Sequence, residues 1–189
     1  AGVRYGMVVD LQRCTGCQAC SVACKAEMDV PLGVFRTWVK QIEKGKYPFV
    51  SVSFVPSLCN QCEKPICLRN CPTRATYQLD NGIVIVDPHR CIGCKYCIAS
   101  CPYSVRYLNP LKKIVEKCEF CRHRLEDGLE PACVNTCPTG ALVFGDLRDP
   151  YSNISKMLQR NPVQVLKPAR ATFPQVYYLA ADLEAMEAR

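Results

Sequence analysis

Sixteen cysteines fall into four runs of four, and no other feature of this 189-residue chain restricts its fold so severely. The runs are Cys14, Cys17, Cys20 and Cys24; Cys59, Cys62, Cys67 and Cys71; Cys91, Cys94, Cys97 and Cys101; and Cys118, Cys121, Cys133 and Cys137. None is left over. A cubane iron–sulfur cluster takes four thiolates, and C-x2-C-x2-C-x3-C-P is the signature of bacterial two-cluster proteins. The third run, CIGCKYCIASCP, matches that signature throughout. The first keeps the spacing but carries Lys25 where the proline would stand. The second has two extra residues between its second and third cysteines, and the fourth opens its middle into a loop of eleven residues. Sixteen ligands supply four [4Fe–4S] clusters, which implies a chain that moves electrons.

Other uses of cysteine fit the pattern less well. Neighbours two residues apart are poorly placed to scatter into a disulfide framework, and the chain is larger than most disulfide-dependent modules. Zinc sites usually come as two C-x2-C pairs separated by a longer stretch, often with histidine among the ligands. Here two runs crowd three cysteines into seven residues, and His89 and His123 are the only histidines. A zinc protein with four-cysteine sites is the weaker alternative. The formal charge of +7 counts the cysteines as neutral. Each oxidised cubane with its four thiolates carries about −2, so four of them cancel the excess. Basic residues beside ligands, such as Lys25, Lys95 and Lys117, then read either as solvated surface or as charges that raise cluster potentials and steer an acidic partner. The chain shows no single-sign stripe, aromatic platform or helix-turn-helix signature, so nucleic acid is not an expected partner. No apolar run approaches the length of a transmembrane segment.

Short elements are expected around the runs. Residues 5–10 read as a strand, 19–26 as a helix, and 75–87 as two apolar stretches folded back at Asn81-Gly82. Residues 141–144 read as a strand after the last run. The CPT triplet at 71–73 recurs at 137–139. Proline fixes φ, so Pro72, Pro102 and Pro138 are expected to end the helix before them and turn the chain away from the site. Gly16 and Gly93 are expected to admit close backbone approach. Val22, Ile98 and Ala99 read as shielding core, His123 as surface or as a donor to sulfide, and His89 as a turn cap. Two segments carry no ligand. The insert 27–57 holds Phe35 and Trp38, expected to cover a cluster or face a partner, and an alternating strand at 50–54. The tail 151–189 reads as a helix at 154–160, an extended stretch at 163–174 and a final helix at 179–188. Together it looks like a docking wrap.

The residues GMVVDLQRCTGCQACSVACK (6–25), CNQCEKPIC (59–67), IVDPHRCIGCKYCIASCPY (85–103) and KCEFCRHRLEDGLEPACVNTCPTGALVFGDL (117–147) resemble the four-cluster electron-transfer subunit of molybdopterin oxidoreductases. This is the dimethyl sulfoxide reductase family, and the GVFRTWV and CNQC phrases resemble its polysulfide and tetrathionate branch most. The resemblance implies an α+β fold of two nested bacterial-ferredoxin-like units. The fourth cysteine of such a run ligates the other cluster of its pair. Cys59, Cys62, Cys67 and Cys101 would then hold one cluster and Cys71, Cys91, Cys94 and Cys97 its mate. In the outer unit Cys14, Cys17, Cys20 and Cys137 would hold a third, and Cys24, Cys118, Cys121 and Cys133 the fourth. Residues 1–26 and 102–150 would form the outer unit and 58–101 the inner one, so the strand at 5–10 should meet that at 141–144. The implied function is electron transfer between a large catalytic subunit carrying a molybdenum or tungsten pterin and an integral membrane subunit that exchanges electrons with quinone. The chain itself would be non-catalytic and peripheral on the energy-transducing membrane, on the periplasmic face. A free-standing multicluster ferredoxin is the alternative of a different class.

Overall fold

The computed structural model describes residues 2–187. In chain order the elements are β1 (Tyr5–Asp10), α1 (Ala19–Glu27), β2 (Trp38–Lys46), β3 (Phe49–Ser57), α2 (Ile66–Arg69), β4 (Thr76–Gln78), β5 (Val84–Val86), α3 (Tyr96–Ala99), β6 (Arg106–Leu108), β7 (Val115–Lys117), α4 (Arg122–Glu126), α5 (Ala132–Asn135), β8 (Leu142–Asp146), α6 (Asn153–Arg160), β9 (Val163–Gln164), a 3-10 turn (Pro168–Arg170), β10 (Val176–Leu179) and α7 (Leu183–Glu187). The class is α+β. Its main sheet has the order β8-β1-β10-β9, and β2-β3, β4-β5 and β6-β7 are separate hairpins. Among the described residues no helix is long and apolar enough to cross a membrane.

β1 sits at the centre of this arrangement because YGMVVD is apolar on both faces. Successive side chains of a strand point to opposite sides. Met7 and Val9 therefore join Phe144 and Tyr178 in the core that holds most of the buried cysteines, while Val8 packs with Leu179 and Ile154 beneath α6. β1 pairs antiparallel with β8, from Tyr5 opposite Asp146 to Val9 opposite Leu142. The first and last cysteine runs are thereby brought side by side. The ring of Tyr5 stacks on Phe144 at 5.2 Å, and Phe120 meets Phe144 edge-on at the same separation.

The tail departs from the sequence reading. Its apolar residues have no cluster run of their own to cover, but the structure buries several of them within the chain, leaving Tyr151, Phe173 and Leu183 exposed. β10 pairs parallel with β1, Met7 opposite Val176 through Asp10 opposite Leu179. Tyr178 is 0% exposed and its hydroxyl donates to the Pro56 carbonyl at 2.8 Å. Ile154 and Met186 are equally inaccessible. The stretch 163–174 is not uniformly extended, since only Val163–Gln164 pairs before the 3-10 turn. The final helix is shorter than 179–188: Leu179 ends β10, the helix is Leu183–Glu187, and residue 188 lies outside the described residues.

The insert also gains a strand that its sequence conceals. β2 contains a glycine and four charged residues, yet it pairs with β3 along nine positions, Trp38 opposite Ser57 through Lys46 opposite Phe49. The hairpin base is fixed to the body. Thr37 Oγ1 donates to the Ser57 carbonyl, Ser21 Oγ donates to the Thr37 carbonyl, and Gln18 exchanges two bonds with the backbone of Val39. Its tip is apolar and solvent-facing, with Tyr47 93% and Phe49 86% exposed.

Candidate metal centres

Each cysteine run follows the same local logic. Asp10 and Asp87 begin turns in which their carboxylates accept from the backbone N–H of Gln12 and His89, and their carbonyls accept from Cys14 and Cys91. His89 therefore contributes its backbone to this turn, and Asp87 is the cap. The loop then passes through left-handed residues, Gly16 and Gln18 in the first run and Gly93 and Lys95 in the third. A side chain at Gly16 would strike the Phe54 ring, and one at Gly93 would strike the Lys113 carbonyl, both about 2.4 Å away. Glycine is needed there for the conformation and for the packing. Helices α2, α3 and α5 each stop two residues before a Cys-Pro pair. In the first run Lys25 replaces the proline, so α1 continues to Glu27 and the Lys25 ammonium caps the carbonyls of Pro31 and Val34.

Helical geometry corrects one expectation. Cys20 and Cys24 lie four residues apart on the buried face of α1, so Val22 between them points away and is exposed. Ala99 is exposed for the same reason, two positions after buried Cys97. Neither shields a cluster. Trp38 packs against the core, whereas Phe35 lies half-exposed under the Lys25 ammonium. His123 bonds Glu27 at 2.7 Å on the surface, and that contact helps hold the Glu27 carboxyl below its usual range.

None of the sixteen cysteines forms a disulfide, and they gather across runs. One void is lined by Cys59, Cys62, Cys67 and Cys101 together with Pro65, Val84, Val105 and Arg106. Another is lined by Cys14, Cys17, Cys20 and Cys137 with Val39, Pro56 and Leu142. Burial pushes Cys24 up to about 12, and Cys121 adds to the push. Burial likewise drives Cys118 and Cys133 well up, with Cys24 raising both. Cys97 is raised by burial and, against the pull of Arg106, by Cys71 and Cys91. The groups adjoin one another. Cys20 acts on Cys24 and Cys133, and Cys59 acts on Cys118.

These pockets fit a cubane. Among the described residues no three His, Cys, Asp or Glu side chains converge closely enough to hold a single ion. A cubane places each thiolate on a different iron and needs the sulfurs further apart. Asn60 lines the first void with its side-chain amide buried and neither polar atom hydrogen-bonded. Such a group is costly unless a ligand supplies the partner. Burial pushes Cys20 and Cys67 up to about 11 and Cys62 to about 12, so these thiols favour the protonated form until coordination to metal removes the proton. Two cysteines run the other way. Burial raises Cys71 and Cys137, but Thr73 and Thr139 hydroxyls at 3.7 Å and several backbone N–H groups bring both below the usual range. This gives the repeated CPT triplet a physical role.

With this geometry in view, residues 50–147 match the 4Fe-4S dicluster domain family and residues 5–26 a 4Fe-4S binding domain. The chain is 47% identical to a tetrathionate reductase subunit of Salmonella typhimurium over 95% of its own length and 73% of that protein's. It is 44% identical to a polysulfide reductase component of Wolinella succinogenes, covering 92% and 93%. This protein belongs to the family of reductase iron–sulfur subunits. A more distant member is the arsenate respiratory reductase iron-sulfur subunit of a Shewanella strain, 34% identical over 94% of this chain and 96% of that one. The protein is thus a four-cluster [4Fe–4S] electron-transfer subunit, not the catalytic subunit of a reductase.

Sequence reading missed Arg106, which donates to Cys67 Sγ at 2.9 Å from a position five residues after Cys101. The available signal was a basic residue where the corresponding places after Cys71 and Cys137 hold Thr76 and Leu142. It also missed Asn60, which nothing but its place between two ligands distinguishes.

Proposed function

We propose that this chain relays electrons between a molybdenum- or tungsten-pterin catalytic subunit and an integral membrane subunit that exchanges electrons with quinone. The observation that carries the reading is the order of the thiol groups. Cys14, Cys17, Cys20 and Cys137 adjoin Cys24, Cys118, Cys121 and Cys133 along the buried face of α1, which carries both Cys20 and Cys24. These adjoin Cys59, Cys62, Cys67 and Cys101 through Gln61, which stands between Cys59 and Cys62 and donates from Nε2 to the Cys118 carbonyl at 2.9 Å. Arg106 then joins Cys67 to Cys97, in the group of Cys71, Cys91, Cys94 and Cys97. We assign one cluster to each group. When bound, each cubane takes up and returns a single electron with its ligands unchanged. The protein's part is to line up the sites, keep the middle two dry and open the ends. Cys17 and Cys94, one in each terminal group, are the two exposed cysteines among the described residues.

In this reading residues 1–26 and 102–150 form the outer unit, 58–101 the inner unit and 27–57 the insert. Two boundaries move. The β6–β7 hairpin joins the inner unit, because β7 packs on β5 and Arg106 reaches Cys67. The tail joins the outer unit, because β10 lies within its sheet. The docking surface passes to the insert, whose exposed Tyr47, Phe49, Val50 and Val52 favour a subunit over a free-standing ferredoxin. We place the chain on the periplasmic face of the membrane through its partners.

Isolation of the chain under native conditions tests this. A large pterin-bearing chain and a membrane chain should accompany it, and quinol should reduce its clusters within the assembly. Recovery of the chain alone, fully loaded with iron and reducible only by soluble donors, would favour the ferredoxin instead.

A further inference from the structure

Two buried cations lie between the inner sites. Arg106 is 5% exposed and Lys117 is 0% exposed. Nη2 of Arg106 donates to Cys67 Sγ at 2.9 Å and Nη1 to Thr76 Oγ1 at 3.3 Å, and the guanidinium charge also reaches Cys97. Lys117 Nζ donates to the carbonyls of Val84 and Cys118, and its charge reaches Cys67. Among the described residues neither cation has a carboxylate within ion-pair distance. Two other buried or half-buried cations near ligands are paired: Arg36 with Glu116 at 3.2 Å, and Arg124 with Glu27 at 3.1 Å. A buried charge without a partner is strongly unfavourable. Among the described residues, the complementary charge that reaches Arg106 is that of the ligand thiolates.

Internal repetition isolates the effect. Cys71, Cys101 and Cys137 are each followed by proline and, five residues on, by the first residue of a strand. That residue is Thr76, Arg106 and Leu142 in turn. The same backbone position thus carries a hydroxyl, a guanidinium and an alkyl chain. Only the guanidinium bonds a ligand of one site while its charge reaches a ligand of the mate.

We propose that Arg106 and Lys117 raise the reduction potential of the site formed by Cys59, Cys62, Cys67 and Cys101, and that Arg106 extends a weaker pull to the site of Cys97. The inference rests on the ligand grouping proposed above. Reduction adds one negative charge, and a fixed cation beside the sulfurs stabilises the reduced form more than the oxidised one. Arg106 acts through a charge-assisted bond to the ligand sulfur, which is stronger than a neutral one and directional. Lys117 acts as a point charge held by two backbone carbonyls. Both are positioning residues. They take no part in electron uptake and alter its energy at one place in the row.

The test is a potentiometric titration of the assembled holoprotein followed by paramagnetic resonance. It compares wild type with Arg106→Leu, Arg106→Lys and Lys117→Met. Wild type should give four waves. In Arg106→Leu one wave should fall by at least tenfold in its equilibrium constant, ~59 mV for a one-electron couple; a second should fall by less and two should stay in place. Arg106→Lys should retain more than half of the lost potential, and Lys117→Met should lower the same wave as Arg106→Leu. Four waves that move in none of the variants, or that all move equally, would overturn the inference. If Arg106→Leu loses iron, Lys117→Met decides: a shift of one wave supports the inference, and four unmoved waves overturn it. Fewer than four waves in wild type would instead defeat the four-site grouping, and the inference with it.

Discussion

After Cys137-Pro138 the chain enters a strand that pairs with β1 along five residues, packs against α6 and belongs to a sheet that β10 continues beyond β1; after Cys101-Pro102 it enters a three-residue strand closed only by its own hairpin. The outer sites therefore stand on a four-stranded sheet with an apolar layer on each face. The inner sites stand on two short hairpins, β4-β5 and β6-β7, and on buried cations. Isolated two-stranded hairpins are marginal in water. The inner unit consequently depends on its cofactors and on the core it shares through Ile83, Ile85, Tyr103 and Val105, whereas the outer unit adds a sheet of its own with a second apolar layer under α6. One family of loops is thus supported in two physical ways, and the way chosen also decides how charged the surroundings of the site are.

The largest effect expected from this contrast follows removal of residues 151–189. Loss of β10 and α6 would uncover Met7, Val8 and Val9, each 0% exposed, so the outer sites should fail. Iron analysis should drop from about 16 to about 8 per chain or lower. A truncated chain that kept all its iron would show that the sheet does not support the outer pair. A smaller and local effect is expected from Cys101→Ser. Cys101 lines the void with Cys59, Cys62 and Cys67, so the resonance signal lost or altered should belong to that site rather than to that of Cys91, Cys94 and Cys97. Equal damage to both would break the cross-run grouping.

Much of this was legible in the sequence, for reasons that differ from element to element. The strand at 5–10, the hairpin about Asn81-Gly82 and the helix ends at Cys-Pro pairs follow from local chemistry, and all three are present. The meeting of β1 and β8 was legible only through the nested pairing of runs that the family resemblance implies, because no residue of either strand specifies its partner. β2 escaped notice because its charged, glycine-bearing sequence becomes a strand through pairing with β3 and through anchoring by Gln18 and Thr37. The burial of Tyr178 was hidden for a related reason. A short apolar stretch such as VYYL suits an interface and a sheet interior equally, and its parallel partner lies at the other end of the chain. Arg106 was missed because its neighbours in space, Cys67 and Thr76, precede it by 39 and 30 residues, and only comparison of the repeats would have singled it out.

The smallest effect concerns the terminal groups. Thr73 and Thr139 hydroxyls each lie 3.7 Å from a cysteine sulfur, of Cys71 and Cys137. Removing a weak donor lowers the stability of the reduced site slightly, so Thr73→Val and Thr139→Val should each lower one potential by less than ~59 mV. Each should leave the potential governed by Arg106 in place. A change as large as that in Arg106→Leu would mean that neutral donors and buried cations tune these sites equally, which would dissolve the contrast.

The most direct test of the account is iron-edge anomalous diffraction from the assembled complex. The expected result is four cubanes in a row, each bound by cysteines from two runs, with the end cubanes beside Cys17 and Cys94 and a redox partner at each end. A cubane bound by Cys91, Cys94, Cys97 and Cys101 together, or both partners meeting the row at one end, would contradict it.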